Sequence, residues 1–252
     1  MKATLISIMR GTFFVCGVLL AAGCIKINTT VSITADGSGT WKVVYAMPTH
    51  MIRQVQMARE LTAELDKASA TTVTNVSVKP LDIPMLFDEA AIRARFASLE
   101  RDGLKLTKLQ TRSRSGWQYV DLVVKFNRLE DLVRQRFFDD CGISFKQIGS
   151  NNSKIVISLP AGDAGERVDL TDPAVNKSLT PFMKGMVIVV NLEVPGDVRN
   201  SNSFVSDSKF ASWQWDFEKD PKAVELLFRD KMVLVFDSSR SRIKDFDKPA
   251  VR

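Results

Sequence analysis

The fold is decided by residues 31–47, which read VSITADGSGTWKVVYAM. Apolar and polar side chains alternate in Val31–Ala35, as expected of a half-buried β-strand, and Trp41–Met47 is a second strand-like run. Between them lies Asp36-Gly37-Ser38-Gly39, whose glycines suit a tight turn. The stretch therefore predicts a β-hairpin. A calcium loop is not indicated, because the further acidic ligands that it needs are missing from the sequence.

Similar patterns predict further strands and turns along the rest of the chain. A strand over Leu104–Leu109 and a partner over Trp117–Phe126 flank a turn, and Ile143–Ile148 with Lys154–Leu159 form another hairpin. Further strands are predicted at 73–78, Met186–Val194, Trp213–Phe217 and Met232–Phe236, with turn-rich connectors at 160–172 and 195–203.

Helical spacing interrupts these strands. Pro48–Lys67 repeats apolar residues every three or four positions, so Ile52, Val55, Leu61 and Leu65 are expected to be buried. Further helices are predicted at Asp88–Arg101, after Asn127 as N-cap, at Pro173–Lys184 and at Pro221–Arg229. Hairpins with inserted amphipathic helices predict an α+β fold with an antiparallel sheet.

The composition and the missing motifs exclude most classes of catalytic and metal-binding site. The chain has 252 residues, of which 45% are hydrophobic, with three cysteines and a single histidine, His50, which is expected to be exposed. The phosphate loop, the His-Glu-x-x-His zinc motif, the Cys-x-x-Cys motif and the Gly-x-Ser-x-Gly elbow are all missing from the sequence. We therefore expect neither an enzyme nor a metal or other cofactor. A hydrolase using only carboxylates such as Asp139 and Asp140 is the weakest alternative.

The N-terminus indicates the compartment. Lys2 and Arg10 precede an apolar run of residues 11–22, which fits a signal peptide and is shorter than the roughly 20 residues of a membrane span. Leu20-Ala21-Ala22-Gly23-Cys24 resembles a bacterial lipobox. The resemblance implies cleavage before Cys24 and its modification with diacylglycerol and an amide-linked acyl chain such as palmitate. A secreted protein cut near Ala22 is the alternative.

These observations predict the organisation of the chain. Residues 1–23 are the signal peptide, 24–237 an α+β domain with a sub-boundary near 160–172, and 238–252 a basic, disordered tail. Loss of the signal lowers the formal net charge from +6 to +4. We expect a lipid-anchored protein of the cell envelope, at the outer membrane and facing the periplasm if the bacterium has two membranes. That location excludes nucleic acid as a partner.

Cys24, the first strand, Asp36–Gly39, Trp41–Tyr45 and the following helix are together similar to bacterial envelope lipoproteins of the LppM-like kind. Trp213-Gln214-Trp215 near the end is similar to the closing segment of such proteins. The resemblance implies a membrane-tethered α+β domain that is not an enzyme, with lipid binding as a further expectation.

The aromatic residues on the predicted strands form the remaining candidate site. Trp213, Trp215 and Phe217 share one face of a predicted strand, and Trp41 lies in the first hairpin. Such residues form either a packed sheet face under the helices or a groove for an acyl chain or a glycan. The leading interpretation is a non-catalytic interaction or structural module that binds an envelope protein or lipid. The alternative is a carrier or sensor of an apolar ligand such as a lipid.

Overall fold

The structure is a computed structural model that describes residues 25–68, 84–135, 138, 141–158, 185–220 and 222–249. These residues form two β-sheets with short helices between the strands. The first sheet has the strand order β3-β4-β2-β1-β7-β10-β9 and the second has the order β12-β5-β6-β11-β8. The strands are β1 Lys26–Ile33, β2 Gly39–Pro48, β3 Leu104–Arg114, β4 Trp117–Phe126, β5 Gly142–Ile148, β6 Asn152–Ser158, β7 Val187–Glu193, β8 Val198–Ser201, β9 Val205–Asp207, β10 Phe210–Asp216, β11 Met232–Asp237 and β12 Phe246–Lys248.

The predicted first hairpin is confirmed. β1 and β2 pair antiparallel from Lys26 opposite Ala46 to Ile33 opposite Gly39. In the turn, Gly37 has a φ of 87°, and the hydroxyls of Thr34 and Ser38 donate to Asp36. These hydrogen bonds lower the pKa of the Asp36 carboxyl to about 2. A Cβ at Gly39 would lie 2.0 Å from the carbonyl oxygen of Ser32, so the strands approach closely there.

The α+β class is confirmed, with one pairing that the local sequence did not predict. β1 pairs with β7 in parallel, whereas the other strand pairs of the described residues are antiparallel. The two sheets share one apolar core. Leu192 and Trp213 of the first sheet belong to the same buried cluster as Phe145, Leu234 and Phe236 of the second.

The helices of the described residues are α1 Thr49–Ala68, α2 Glu89–Ala97, α3 Leu129–Val133 and α4 Ala223–Arg229, with 3₁₀ turns at Pro84–Leu86 and Glu100–Asp102. Pro48 ends β2 and does not open the helix. Asn127 is not the N-cap of α3; Arg128 occupies that position and makes no side-chain capping bond. In the described part of the chain, no helix is both long and apolar enough to cross a membrane.

The burial predicted for α1 is correct for its first turns only. Ile52 and Val55 are 9% and 5% exposed and pack with Met47 and Met51. Leu61 is 56% exposed, so the prediction that it is buried is wrong. The described core beside α1 extends only along its N-terminal half. The side chain of Leu65 lies outside the described residues.

The C-terminal segment differs from the predicted disordered tail. Residues 246–248 form β12, which pairs antiparallel with β5. The Arg242 N–H donates to the carbonyl oxygen of Ala35 at 2.7 Å, and Ser153 and Ser238 form a buried hydrogen bond of 2.8 Å. Hydrogen bonds from backbone and hydroxyl groups therefore attach residues 238–249 to the domain. The basic charge of the segment does not predict these bonds. The connector at 195–203 also contains a strand, β8. The predicted strand at 73–78, the loop at 160–172 and the helix at 173–184 lie outside the described residues.

Candidate functional site

An apolar pocket of about 350 Å³ lies between the inner face of the first sheet and α2. The strands β2 and β4 form its floor, and α2 with Met85 forms its wall. Trp41, Val43 and Tyr45 point to the same side of β2 because side chains alternate along a strand. The residues that line the pocket are Trp41, Val43, Tyr45, Met85, Ala91, Ile92, Arg95, Phe96 and Leu122.

The wall of the pocket is positioned by local sequence signals in α2. Asp88 is the N-cap, and its carboxylate accepts hydrogen bonds from the N–H groups of Ala90 and Ala91 at 2.8 and 3.3 Å. Ile92 and Phe96 lie four residues apart on one helix face and are 6% and 4% exposed. This spacing fixes the apolar side of α2 against the sheet.

Tyr45 joins the floor to the segment before α2. Its hydroxyl donates a hydrogen bond to the carbonyl oxygen of Leu86, and its ring meets that of Phe87 edge-on at 5.4 Å between centroids. Burial raises the pKa of Tyr45 to about 12, and the positive charge of Arg95 opposes that rise. The phenol is protonated at neutral pH, as its hydrogen bond to the carbonyl oxygen of Leu86 requires.

The lining of the pocket is almost entirely apolar. Eight of the nine lining residues are apolar or aromatic, and Arg95 is the one charged residue among them. The lining contains no pairing of a nucleophile with a general base. Such a pocket can enclose an apolar group of a ligand. The Arg95 guanidinium at its wall favours a negative charge nearby.

The structure separates the aromatic residues that the sequence singled out. Trp41 lines the pocket, and its Nε1 donates to Thr29 Oγ1 at 2.8 Å. Trp213, Trp215 and Phe217 are 3%, 4% and 5% exposed and belong to the core. Trp213 and Trp215 lie on β10 and Phe217 directly follows it, and β10 is three strands away from β2 in the sheet order. Of the two interpretations, the packed sheet face describes these three residues.

The contribution of α2 to the site is not evident from the sequence. The sequence predicts a helix over Asp88–Arg101, but the spacing of Ile92 and Phe96 does not say which strands their face covers. Arg95 carried no signal of its own. The alternation of Trp41, Val43 and Tyr45 along β2 is the one local pattern that could have placed them on a common surface.

The remaining candidates do not gather into a site in the described residues. His50 is exposed in the first turn of α1, and Cys141 is half-buried against the core. Among the residues that the structure describes, no three metal-ligating side chains form a cluster. Cys24, Asp139 and Asp140 lie outside those residues.

No family model matches the sequence, and no curated protein matches it. Among solved structures, the chain is similar to the folded domain of the LppM protein of Mycobacterium tuberculosis, determined by NMR. That likeness has a TM-score of 0.42 and 9% sequence identity, and it covers 90% of this chain and 93% of that one. At these values it gives no residue-by-residue correspondence.

Proposed function

We propose that this protein is a lipoprotein of the bacterial cell envelope, tethered to the membrane through acylated Cys24, and that its domain binds a partner without catalysing a reaction. The signal sequence and the lipobox-like residues before Cys24 support the tether. One acyl chain holds a protein only marginally, whereas two or more hold it firmly, since each buried CH₂ contributes about 0.8 kcal/mol.

The observation that carries the proposal is the packing of Ile25. This residue, which follows Cys24 directly, contacts the buried cluster of Met47, Met51, Ile52 and Val55, and β1 begins at the next residue. Consecutive Cα atoms are about 3.8 Å apart. An acyl chain on Cys24 would therefore extend from the protein beside the start of β1, with no linker in between. That attachment would hold the domain close to the bilayer.

The chemistry of the pocket supports a binding role. Its one titratable phenol, Tyr45, is protonated at neutral pH, and its one cation, Arg95, is a group that orients anions more readily than it transfers protons. Such a lining suits recognition.

The test is a pull-down of the acylated protein from envelope membranes, with mass spectrometry of the protein, its partners and its bound lipids. We expect a mature chain that begins at Cys24 and carries acyl chains. A mature chain without acyl groups contradicts the tether. Turnover of an envelope substrate by the purified protein, lost on substitution of a pocket residue, contradicts the non-catalytic role.

The pocket also favours a second function, a carrier or sensor of an apolar ligand such as a lipid. Its volume of about 350 Å³ falls within the roughly 300–1,000 Å³ of small-molecule pockets. Arg95 suits a ligand whose apolar chain ends in an anionic group, because a guanidinium hydrogen-bonds carboxylates and phosphates.

Two matched substitutions of neighbouring alanines by phenylalanine test this second function. Ala91→Phe fills the pocket, whereas Ala90→Phe places the same ring on the neighbouring exposed position. With a fluorescent fatty acid as the probe, we expect Ala91→Phe to lose most of the binding and Ala90→Phe to keep it. Equal binding by both variants, with both folded, contradicts a ligand in this pocket.

A further inference from the structure

The outer face of the first sheet carries a dense array of cations on strands β1–β4, which we call the basic face. β3 contributes Lys105, Lys108, Arg112 and Arg114 to it. Through the strand register, Lys26 of β1, Lys42 of β2 and Lys125 of β4 lie on the same side. All seven side chains are exposed.

Positive charges greatly outnumber negative charges on the basic face. On these four strands, all of whose residues the structure describes, Asp121 is the one carboxylate on the basic face, and it pairs with Lys108 at 2.5 Å. Seven cations against one carboxylate give an excess of six positive charges, which is larger than the formal net charge of +4 that remains after the signal is removed. The net positive charge of the protein is thus concentrated on one surface.

A β-bulge extends the array. The register of β3 against β4 shifts between Leu106 and Lys108, so Lys105 and Lys108 both lie on the outer face although they are three residues apart. In a regular strand, residues three apart point to opposite sides. The bulge therefore turns Lys108 from the core side to the basic face.

Two of these cations oppose one another across neighbouring strands. Lys105 pairs in register with Lys125, and like charges directly opposite each other destabilise a sheet. The pair therefore lowers the stability of the domain by itself. An anionic surface against the basic face would relieve the repulsion.

Aromatic rings form the end of the basic face that is nearest to Ile25. The ammonium group of Lys26 lies 4.7 Å from the centre of the Trp117 ring, and the guanidinium of Arg112 lies 5.4 Å from that of Tyr119. Both rings are half-buried. Tryptophan and tyrosine under basic side chains are the residues that favour the boundary between water and lipid.

We infer that the basic face is a membrane-docking surface that lies against anionic phospholipid headgroups. The inference rests on the proposed function for its setting in the envelope, since Lys26 is only two residues from the acylated Cys24. A lipid surface is favoured over a soluble acidic polymer because the aromatic end and the tether lie at the same edge. Clustered lysines and arginines bind anionic lipid surfaces by charge attraction, which salt screens.

The experiment uses the acylated full-length protein and lysine acetylation read by mass spectrometry, on phosphatidylcholine vesicles with or without phosphatidylglycerol. At low salt, phosphatidylglycerol should lower the labelling of Lys42, Lys105 and Lys125 several-fold. Labelling of Lys222 and Lys231, which are exposed and lie outside β1–β4, should stay unchanged. High salt should restore the labelling of the basic face.

Other results overturn the inference. They are labelling that is unaffected by phosphatidylglycerol, labelling that falls equally at all lysines, and protection by a soluble acidic polysaccharide but not by vesicles. Flotation with pure phosphatidylcholine vesicles reports on the acyl tether separately, so a failed tether and a failed docking surface give different results.

Charge-reversal variants add a second measurement. The double variant Lys105→Glu with Lys125→Glu keeps a like-charge pair on the same strands, so its stability is matched to that of the parent. We expect it to lose the protection of Lys42 on phosphatidylglycerol vesicles, whereas Lys222→Glu should keep it. Protection that persists in the double variant overturns the inference.

Discussion

The hydroxyl of Tyr45 donates a hydrogen bond to the backbone carbonyl oxygen of Leu86, 41 residues further along the chain. This bond ties the inner face of β2 to the 3₁₀ turn that leads into α2. The pocket therefore has a polar contact at its edge as well as the apolar contacts of Ile92 and Phe96, and both hold its wall against its floor.

We expect Tyr45→Phe to destabilise the protein by about 1 kcal/mol, because the carbonyl oxygen of Leu86 loses its donor while the ring is kept. Chemical denaturation of the parent and the variant measures this difference. Tyr119→Phe is the matched control, since its half-buried ring lies on the outer face. An equal loss in both variants would assign the effect to the aromatic substitution and not to the hydrogen bond.

The same tyrosine predicts how stability depends on pH in the alkaline range. Burial raises its pKa to about 12 from an ordinary 10.0, so the folded state binds the proton more tightly than the unfolded state. The contribution to stability is complete below pH 10 and is lost as the pH rises towards 12. Melting temperatures across this range should fall more steeply for the parent than for Tyr45→Phe. Identical slopes would show that Tyr45 does not titrate with folding.

The two ends of α1 should respond differently to a buried charge. Val55→Asp places a carboxylate among Met47, Met51 and Ile52 and should destabilise the protein by several kcal/mol. Leu61→Asp, at an exposed position, should change the unfolding free energy by less than about 0.5 kcal/mol. Thermal or urea unfolding of both variants measures this contrast. A large loss in Leu61→Asp would mean that residues beyond those described cover this side chain.

A single charge reversal on the basic face should increase stability. Lys105→Glu converts the repulsion with Lys125 into attraction, and cross-strand charge pairs contribute about 0.2–1 kcal/mol. Urea denaturation at low and high salt measures the gain, which should shrink as salt screens the pair. Combining Lys105→Glu with Lys125→Glu should cancel it. A gain that survives in the double variant would point to helix or strand preference as its cause.

Acylation is predicted to occur at Cys24 alone. Labelled palmitate should enter the parent but not Cys24→Ser, and the intact mass of the parent should correspond to a chain that starts at Cys24 with its lipids attached. The variant keeps Cys141, which controls for acylation of another thiol. Labelling of Cys24→Ser, or its retention on membranes through a high-salt wash after signal cleavage, would place the tether elsewhere.

Local patterns predicted the elements whose signals are complete within a short stretch. The hairpins at 31–47 and 104–126 follow from strand-like runs on either side of glycine turns, and α2 follows from Asp88 and its apolar spacing. Leu61 shows the limit of this reasoning, because helical spacing marks an apolar face but does not show where its packing partner ends.

Pairings between distant segments left no local signal. β1 and β7 lie more than 150 residues apart, and the short strands β8, β9 and β12 contain too few residues for a clear period. The pocket shares this difficulty. Trp41 and Tyr45 could be placed on one strand face, but the choice of α2 as their cover, and the burial of Trp215 elsewhere, depend on tertiary contacts.

The interior position of β1 has a mechanical consequence. β1 is hydrogen-bonded to β2 on one side and to β7 on the other, and its first residue follows Ile25 directly. A force that pulls on a lipid at Cys24 along the strand would load both hydrogen-bond ladders together, in shear, instead of opening them one bond at a time. The tether would then be attached at a strong point of the domain. Single-molecule extension from the N-terminus should show one high-force rupture, not a gradual peeling.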